Sequence, residues 1–319
     1  MEEAFVLLNS ALRLSTPLLF AALAGLISER AGVLDIGLEG KMLLGAFASA
    51  SAAYVSGNAW VGLLSGVAAA VALGLLHGYA CIRHRGNQVV SGIALIFLAS
   101  GLTGVLAESW FRQGGRTPTL AAEARFLPVS LPMADAIADI PLLGPVYSEL
   151  ISKHTFLDYL SLASFAVVVW VFKSTRFGLR LRAVGEHPLA AETTGVKVPS
   201  VRYVAVAWSG AFCGLAGATL SMAQAASFLK DMSAGKGFIA IAALIFARWR
   251  PGRVLGTCLL FGFLDATAIR LQGERLVVGK LPNELVLAFP YIATVLLLAF
   301  HGGRARAPAA LGQPYLPRK

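Results

Sequence analysis

Charge is what this chain has least of. Asp, Glu, Lys and Arg make up 14% of its 319 residues, against about a quarter in soluble domains. A water-soluble fold of that length needs more polar surface than those side chains supply, so an ordinary globular protein is excluded. Cysteine is scarce as well. Cys81, Cys213 and Cys258 are the only three, each lies inside or at the end of an apolar run, and none is in C-x-x-C spacing, which excludes a disulfide framework or a zinc site. His-Glu-x-x-His, Gly-x-Ser-x-Gly and paired intramembrane aspartates are missing, so we nominate no catalytic residue and expect no enzyme. A P-loop is missing too: Gly235-Lys236 and Gly279-Lys280 lack the leading glycine and the following Ser or Thr, and any nucleotide-driven work falls to another chain. The 33 Gly and 14 Pro follow no short period, which excludes collagen-like and low-complexity chains. Met1-Glu2-Glu3 is no positively charged leader, so no cleaved secretory signal is expected.

What is present is apolar. AVILMFWYC residues form 57% of the chain and the mean hydropathy is +0.71, too high for disorder and suited to a bilayer. A crossing helix needs about 20 mostly apolar residues. Nine segments approach that length: Phe5 to Ile27, Glu39 to Val55, Ala59 to Ile82, Val89 to Ala107, Phe156 to Phe172, Val201 to Met222, Gly235 to Phe246, Val254 to Ile269, and Leu285 to Phe300. The expected fold class is therefore all-α: a polytopic membrane helical bundle of about nine spans, some short or broken, forming one transmembrane domain over 1–319. Small residues at i, i+4, in Gly62/Gly66, Gly74/Gly78, Gly210/Gly214 and Gly252/Gly256, suit close helix approach in lipid.

The distribution of cations gives an orientation. With the N-terminus outside, segments 28–41, 83–88, 173–202, 248–253 and the tail 301–319 are cytoplasmic, and they hold 17 of the 27 Lys and Arg. Segment 108–153 is external. Clusters such as Arg83-His84-Arg85 and Arg248-Trp249-Arg250 then obey the positive-inside rule, and the C-terminus is inside. The cations meet anionic membrane lipid. No aromatic or helix-turn-helix setting accompanies them, so nucleic acid is not an expected partner.

Four stretches interrupt the apolar pattern. Ser28 to Gly40 carries glycines with Glu29, Asp35 and Glu39. Two readings are open: a broken helix lining a polar path, or a cytoplasmic loop with a Glu29–Arg30 surface pair. Gly86 to Gly92 brings Asn87, Gln88 and Ser91 to the start of a span, where they either read a polar solute or cap a helix. Asp231 to Ala240, including Phe238, repeats the glycine-rich pattern before a short apolar run. The fourth stretch runs from Thr175 to Val196. Pro188 suits the first position of a short helix and Gly195 its left-handed stop. The resulting rod is about 10 Å long at 1.5 Å per residue, with Leu189 and Thr193 on one face. It either docks on a partner or stays a solvated loop.

The runs Glu29 to Gly40, Asn87 to Gly92, Ala183-Val184-Gly185-Glu186-His187-Pro188 and Gly235 to Ala240 resemble the permease subunits of the branched-chain amino acid and ribose superfamily of ABC importers, nearest to its nucleoside permeases. Pro290-Tyr291-Ile292-Ala293-Thr294 and Pro308 to Tyr315 resemble the ending of that subfamily. The resemblance covers nearly the whole chain and is weakest at 112–153. It implies a type II-like importer in a bacterial inner membrane. The implied partners are a second homologous permease, a duplicated ABC ATPase holding ATP and Mg, and a lipoprotein or periplasmic substrate-binding protein, while this chain binds no cofactor or metal. It implies that Gly185, Glu186, His187, Pro188, Leu189, Ala191, Glu192 and Gly195 form the coupling segment. It also implies a substrate pathway lined by Asp35, Glu39, Asn87, Gln88, Ser91 and Phe238, aromatic rings being suited to stack on a base. Two positions depart from the pattern: Asp35 stands where the family usually has Asn, and Ala247 where it has Gly.

Rival readings are an ABC permease for sugars or other small polar solutes, and an ion-coupled secondary transporter. The second needs an intramembrane titrating site. Asp265 is its best candidate, unless a neighbouring arginine pairs with it. His77 is either a packed, satisfied side chain or a proton relay.

Overall fold

A computed structural model describes residues 2–129, 147, 151–271 and 306–316, with six further positions between 288 and 299. It is built from helices α1 (Glu2–Arg30), α2 (Leu38–Ser56), α3 (Ala59–Gly78), α4 (Gln88–Phe111), α5 (Phe156–Ser174), α6 (Arg176–Glu186), α7 (Pro188–Thr193), α8 (Val198–Ala218), α9 (Lys236–Phe246) and α10 (Pro251–Leu271). Wider π turns over Tyr79–Arg83 and Thr219–Gln224 prolong α3 and α8. An antiparallel pair of two-residue strands, β1 (Pro128–Val129) and β2 (His154–Thr155), closes the described part of the segment before α5.

Among the described residues, six helical stretches are long and apolar enough to cross a membrane: Phe5–Arg30, Ala59–Arg83, Gln88–Phe111, Phe156–Ser174, Val198–Gln224 and Pro251–Leu271. The expected count of about nine is not confirmed. α2 has the length, but Glu39, Lys41 and three serines lower its hydropathy, and most of its side chains are enclosed by protein. α9 spans only 11 residues. Leu285 to Phe300 falls outside the described residues except at isolated positions, as does most of segment 130–150.

α1 is the axis of the bundle, with Leu18 to Leu26 almost wholly buried beneath α5, α8, α9 and α10. Pro17 stands inside it and cannot donate to the carbonyl of Arg13. The Gln224 amide, from the π turn after α8, donates to that oxygen at 2.8 Å, meeting the demand that backbone at membrane depth be satisfied within the protein. At the start of α5, Thr155 and Asp158 form a capping box. Thr16 Oγ1 donates to Asp158 Oδ1 at 2.6 Å, fastening α5 to α1.

Glycine sets the closest crossings. A Cβ on Gly214 would lie 2.5 Å from Val67 Cα, and one on Gly210 would lie 2.6 Å from Val71 Cα, so α3 and α8 touch backbone to backbone. Gly62 faces α2, where a Cβ would lie 2.7 Å from Ser49 O. Gly252 and Gly256 show no such approach among the described residues, where a Cβ on either meets nothing within 4 Å.

Candidate functional site

One end of the bundle gathers the residues that the sequence singles out. Segment 173–202, expected as a loop, is helical over most of its length. Thr175 ends α5 and starts α6 by accepting the Gly178 N–H at 3.1 Å. The chain turns at His187 and restarts with Pro188 in the first turn of α7, where a missing N–H costs nothing. α7 stops before Gly195, whose φ of 82° is the left-handed stop expected of it. Leu189 is 41% exposed, whereas Ala191 is buried against Val184, Val198 and Tyr315.

The base of α7 is tied to the rest of the bundle. Arg30, at the end of α1, pairs with Glu186 at 3.3 Å and donates through Nε to Trp249 O at 2.9 Å. Trp249 Nε1 donates to Glu29 Oε2 at 2.5 Å. Glu29 is buried, so the expected alternative of a Glu29–Arg30 surface pair is replaced by two separate partnerships. Gly185 presses against the α1–α2 turn, a Cβ there falling 3.4 Å from Gly32 N.

That turn is the break expected within Ser28 to Gly40. Gly32, with φ 83°, ends α1, and Ser28 accepts the N–H groups of Ala31 and Val33 at 3.1 Å each. Asp35 follows, fully buried. Lys41 of α2 forms an ion pair with its Oδ2, and Ser209 of α8 donates to the same oxygen at 2.6 Å. Lys41 Nζ also donates to Ser209 Oγ at 2.9 Å. His77 of α3 has Nε2 at 3.1 Å from Leu34 O and Nδ1 at 3.0 Å from Ser91 Oγ of α4. Gln88 Oε1 accepts the Leu34 N–H at 2.6 Å. Four helices are thereby stitched to one turn. A charged pair and neutral hydrogen bonds line the break, while Asp35 Oδ1 has no hydrogen-bond partner among the described residues.

Glu39 has a different task. Its two carboxylate oxygens accept Gly235 N–H at 2.8 Å and Gly237 N–H at 2.6 Å, capping α9 from a neighbouring helix and matching the positive end of its dipole. Gly237 admits this approach, since a Cβ there would lie 2.6 Å from Glu39 N. Asn87 caps α4 through Val89 N at 2.9 Å and Val90 N at 3.2 Å. Of the six residues expected on the pathway, Asp35, Glu39 and Gln88 are buried, Ser91 is partly buried, and Asn87 and Phe238 are exposed. Phe238 is 47% exposed near the start of α9. Lys236, two residues earlier, pairs with Asp265 at 3.4 Å, so the arginine expected as the neighbour of Asp265 is replaced by a lysine.

Lys41, Ser209 and Arg202 were not singled out in the sequence. Lys41 leaves a trace there, a second charge six residues after Asp35 in an apolar setting. Ser209 leaves none, because its role depends on a contact 174 positions away.

A family model described as branched-chain amino acid transport system / permease component matches residues 7–298. The guanosine ABC transporter permease protein NupQ of Bacillus subtilis is 37% identical over 98% of this chain and 97% of its own. TsgC13 of Haloferax volcanii, assigned as a glucose ABC transporter permease protein, is 37% identical over 99% and 98%. The nucleoside ABC transporter permease protein NupC of Lactococcus lactis is 33% identical over 96% and 95%. Among solved structures, an ABC transporter assigned to the metal-chelate type, in an inward-facing conformation, shares the fold. Its TM-score is 0.50 at 14% identity, covering 92% of this chain and 85% of that one.

Proposed function

The chain belongs to the branched-chain amino acid transport system / permease component family, a multi-pass membrane permease subunit of an ABC importer, and from that premise we propose that it carries nucleosides. A second homologous permease completes the path. An extracytoplasmic binding protein delivers the solute, and a duplicated ATPase holding ATP and Mg docks on α7. The N-terminus lies outside and the C-terminus inside, the orientation that leaves most Lys and Arg on the cytoplasmic face.

Coupling through α7 is supported by its form and attachment. It is a six-residue helix bounded by Pro188 and Gly195, with Leu189 exposed at its start, and its base is joined through Glu186 and Arg30 to the turn that carries Asp35. ATP-driven closure of the ATPase pair displaces α7 and favours one of two packings of the permease pair, each with its own cavity. Asn87, Ser91 and Phe238 are the pathway residues left with exposed surface. Asp35, Glu39 and Gln88 hold the walls in place.

The nucleoside reading rests on NupQ and NupC, and the exposed Phe238 ring suits stacking on a base. Titrating the cognate binding protein with nucleosides, free bases and sugars tests it: nucleosides should bind most tightly. Sugar binding alone would move the chain to the second reading, which TsgC13 favours. Replacing 188–194 by a Gly-Ser linker tests coupling, with loss of ATP-dependent uptake expected. Ion-driven transport has little support, because Asp265 already has Lys236 as its partner.

A further inference from the structure

Three stretches far apart in sequence meet at the base of α7: the α1–α2 turn, the elbow between α6 and α7, and the tail segment 306–316. Ala310 N–H donates to Gly185 O at 2.9 Å. Ala309 N–H donates to Glu186 Oε2 at 3.2 Å, on the carboxylate whose other oxygen meets Arg30. Arg202 of α8 fastens the group from within. It is 1% exposed, donates from Nε to Ala31 O at 3.2 Å and from Nη1 to Gln313 O at 3.3 Å, and stands 5.9 Å above the Tyr315 ring. A Cβ on Gly32 would lie 2.9 Å from Arg202 Nη2 and 3.2 Å from Ala310 O, so this glycine admits both the turn and the tail.

A terminal segment with no task is ordinarily loose and solvated. This one exchanges water for main-chain and guanidinium hydrogen bonds and buries a tyrosine ring. α7, for its part, is too short to hold its own shape in water. Ala191 is its one buried residue, and it packs in the cluster that Tyr315 completes.

We propose that the tail segment 306–316 is a strap that positions the coupling helix. Arg202 pins it, so that displacement of α7 reaches the α1–α2 turn instead of being lost as bending at His187. The proposal rests on the coupling role given to α7. Without the strap, ATP hydrolysis continues while its yield in transported solute falls.

The test uses the complete transporter, purified through this chain and placed in proteoliposomes. The solute is the one that the binding-protein titration selects, guanosine on our reading. Ending the chain after Ala305, or Tyr315→Ala, should lower solute moved per ATP hydrolysed by roughly five-fold or more, the scale of a coupling free energy. Tyr315→Phe, which keeps the ring over Val184 and Ala191, should stay near the parental ratio. Should the truncated chain fail to assemble, Tyr315→Ala decides. A parental ratio in Tyr315→Ala, at parental uptake, overturns the strap. The Gly-Ser replacement of 188–194, run in parallel, separates the two failures. If it still transports, the coupling reading falls; if it does not, and the tail variants keep the parental ratio, only the strap falls.

Discussion

Breaking the Asp35–Lys41 pair should cost far more than removing it whole. Both side chains are fully buried, and the two share Ser209. Lys41→Met leaves a carboxylate in the core with one hydroxyl donor. Asp35→Asn leaves an ammonium facing an amide. Removal of one partner from a buried pair costs about 3–5 kcal/mol, chiefly as the penalty of the charge left behind, whereas replacing both by neutral groups of similar size is close to neutral. Asp35→Asn/Lys41→Met should therefore recover most of the loss, and the coupling between the sites should be opposite in sign and about as large as the two single losses together. The three free cysteines are all buried, so a thiol-reactive dye reports unfolding of the detergent-solubilised chain without an added label. At roughly 2 °C per kcal/mol for a chain of this size, each single variant should unfold some 6–10 °C below the parent, and the double variant within a few degrees of it. Single variants at the parental midpoint, or a double variant as unstable as the worse single one, would refute the reasoning.

Further outcomes follow from the same geometry. Gly214→Ala puts a methyl 2.5 Å from Val67 Cα and should cost about 1–3 kcal/mol, while Gly256→Ala, with no described residue within 4 Å of the added methyl, should change the unfolding midpoint little. Glu39→Gln keeps the shape of the cap on α9 but loses its charge, and one amide oxygen must serve Gly235 and Gly237. A loss of about 1–2 kcal/mol in the same dye assay is expected, and no loss would mean that the cap does not hold α9. Burial, then a hydrogen bond to Glu192 and the charge of that carboxylate, push the Tyr315 phenol up to about 12 from an ordinary 10. Its contribution is whole below pH 10 and is lost as pH rises from 10 through about 12. The ultraviolet difference titration of parent against Tyr315→Phe should therefore show one phenol ionising late, and a midpoint near 10 would contradict this.

The sequence reveals most where a rule is local. Hydropathy places eight described helices within a few residues, Pro188 and Gly195 bound α7, and the glycines around Gly32 mark the break in the chain. It reveals least where one residue type has several physical outlets. Asp35, Glu39 and Gln88 attract attention because polar groups in an apolar setting are costly, and that cost is met equally well by a solute, a buried cation or an orphan helix end. Only the fold tells these apart: Asp35 meets Lys41, Glu39 meets the first amides of α9, and Gln88 meets Leu34. The same limit governs Gly252/Gly256 and Gly210/Gly214, equal in spacing and opposite in their described surroundings.

These partnerships change what the polar break can do. With Asp35 fully buried and its Oδ2 held by Lys41 and Ser209, the pathway we propose draws its selectivity from the neutral and aromatic surface of Asn87, Phe238 and the partly buried Ser91. The turn that carries Asp35 is instead a junction. Through Leu34 it joins α3 and α4, through Asp35 α2 and α8, and through Arg30 and Gly32 the base of α7. On the coupling role proposed for α7, a displacement at Glu186 enters the core through one short segment, held by the Asp35–Lys41 pair, by the hydrogen bonds of Leu34 and by a glycine pressed against Arg202. In such packing a push is passed on as movement of whole helices, because close-packed interiors deform little before they switch.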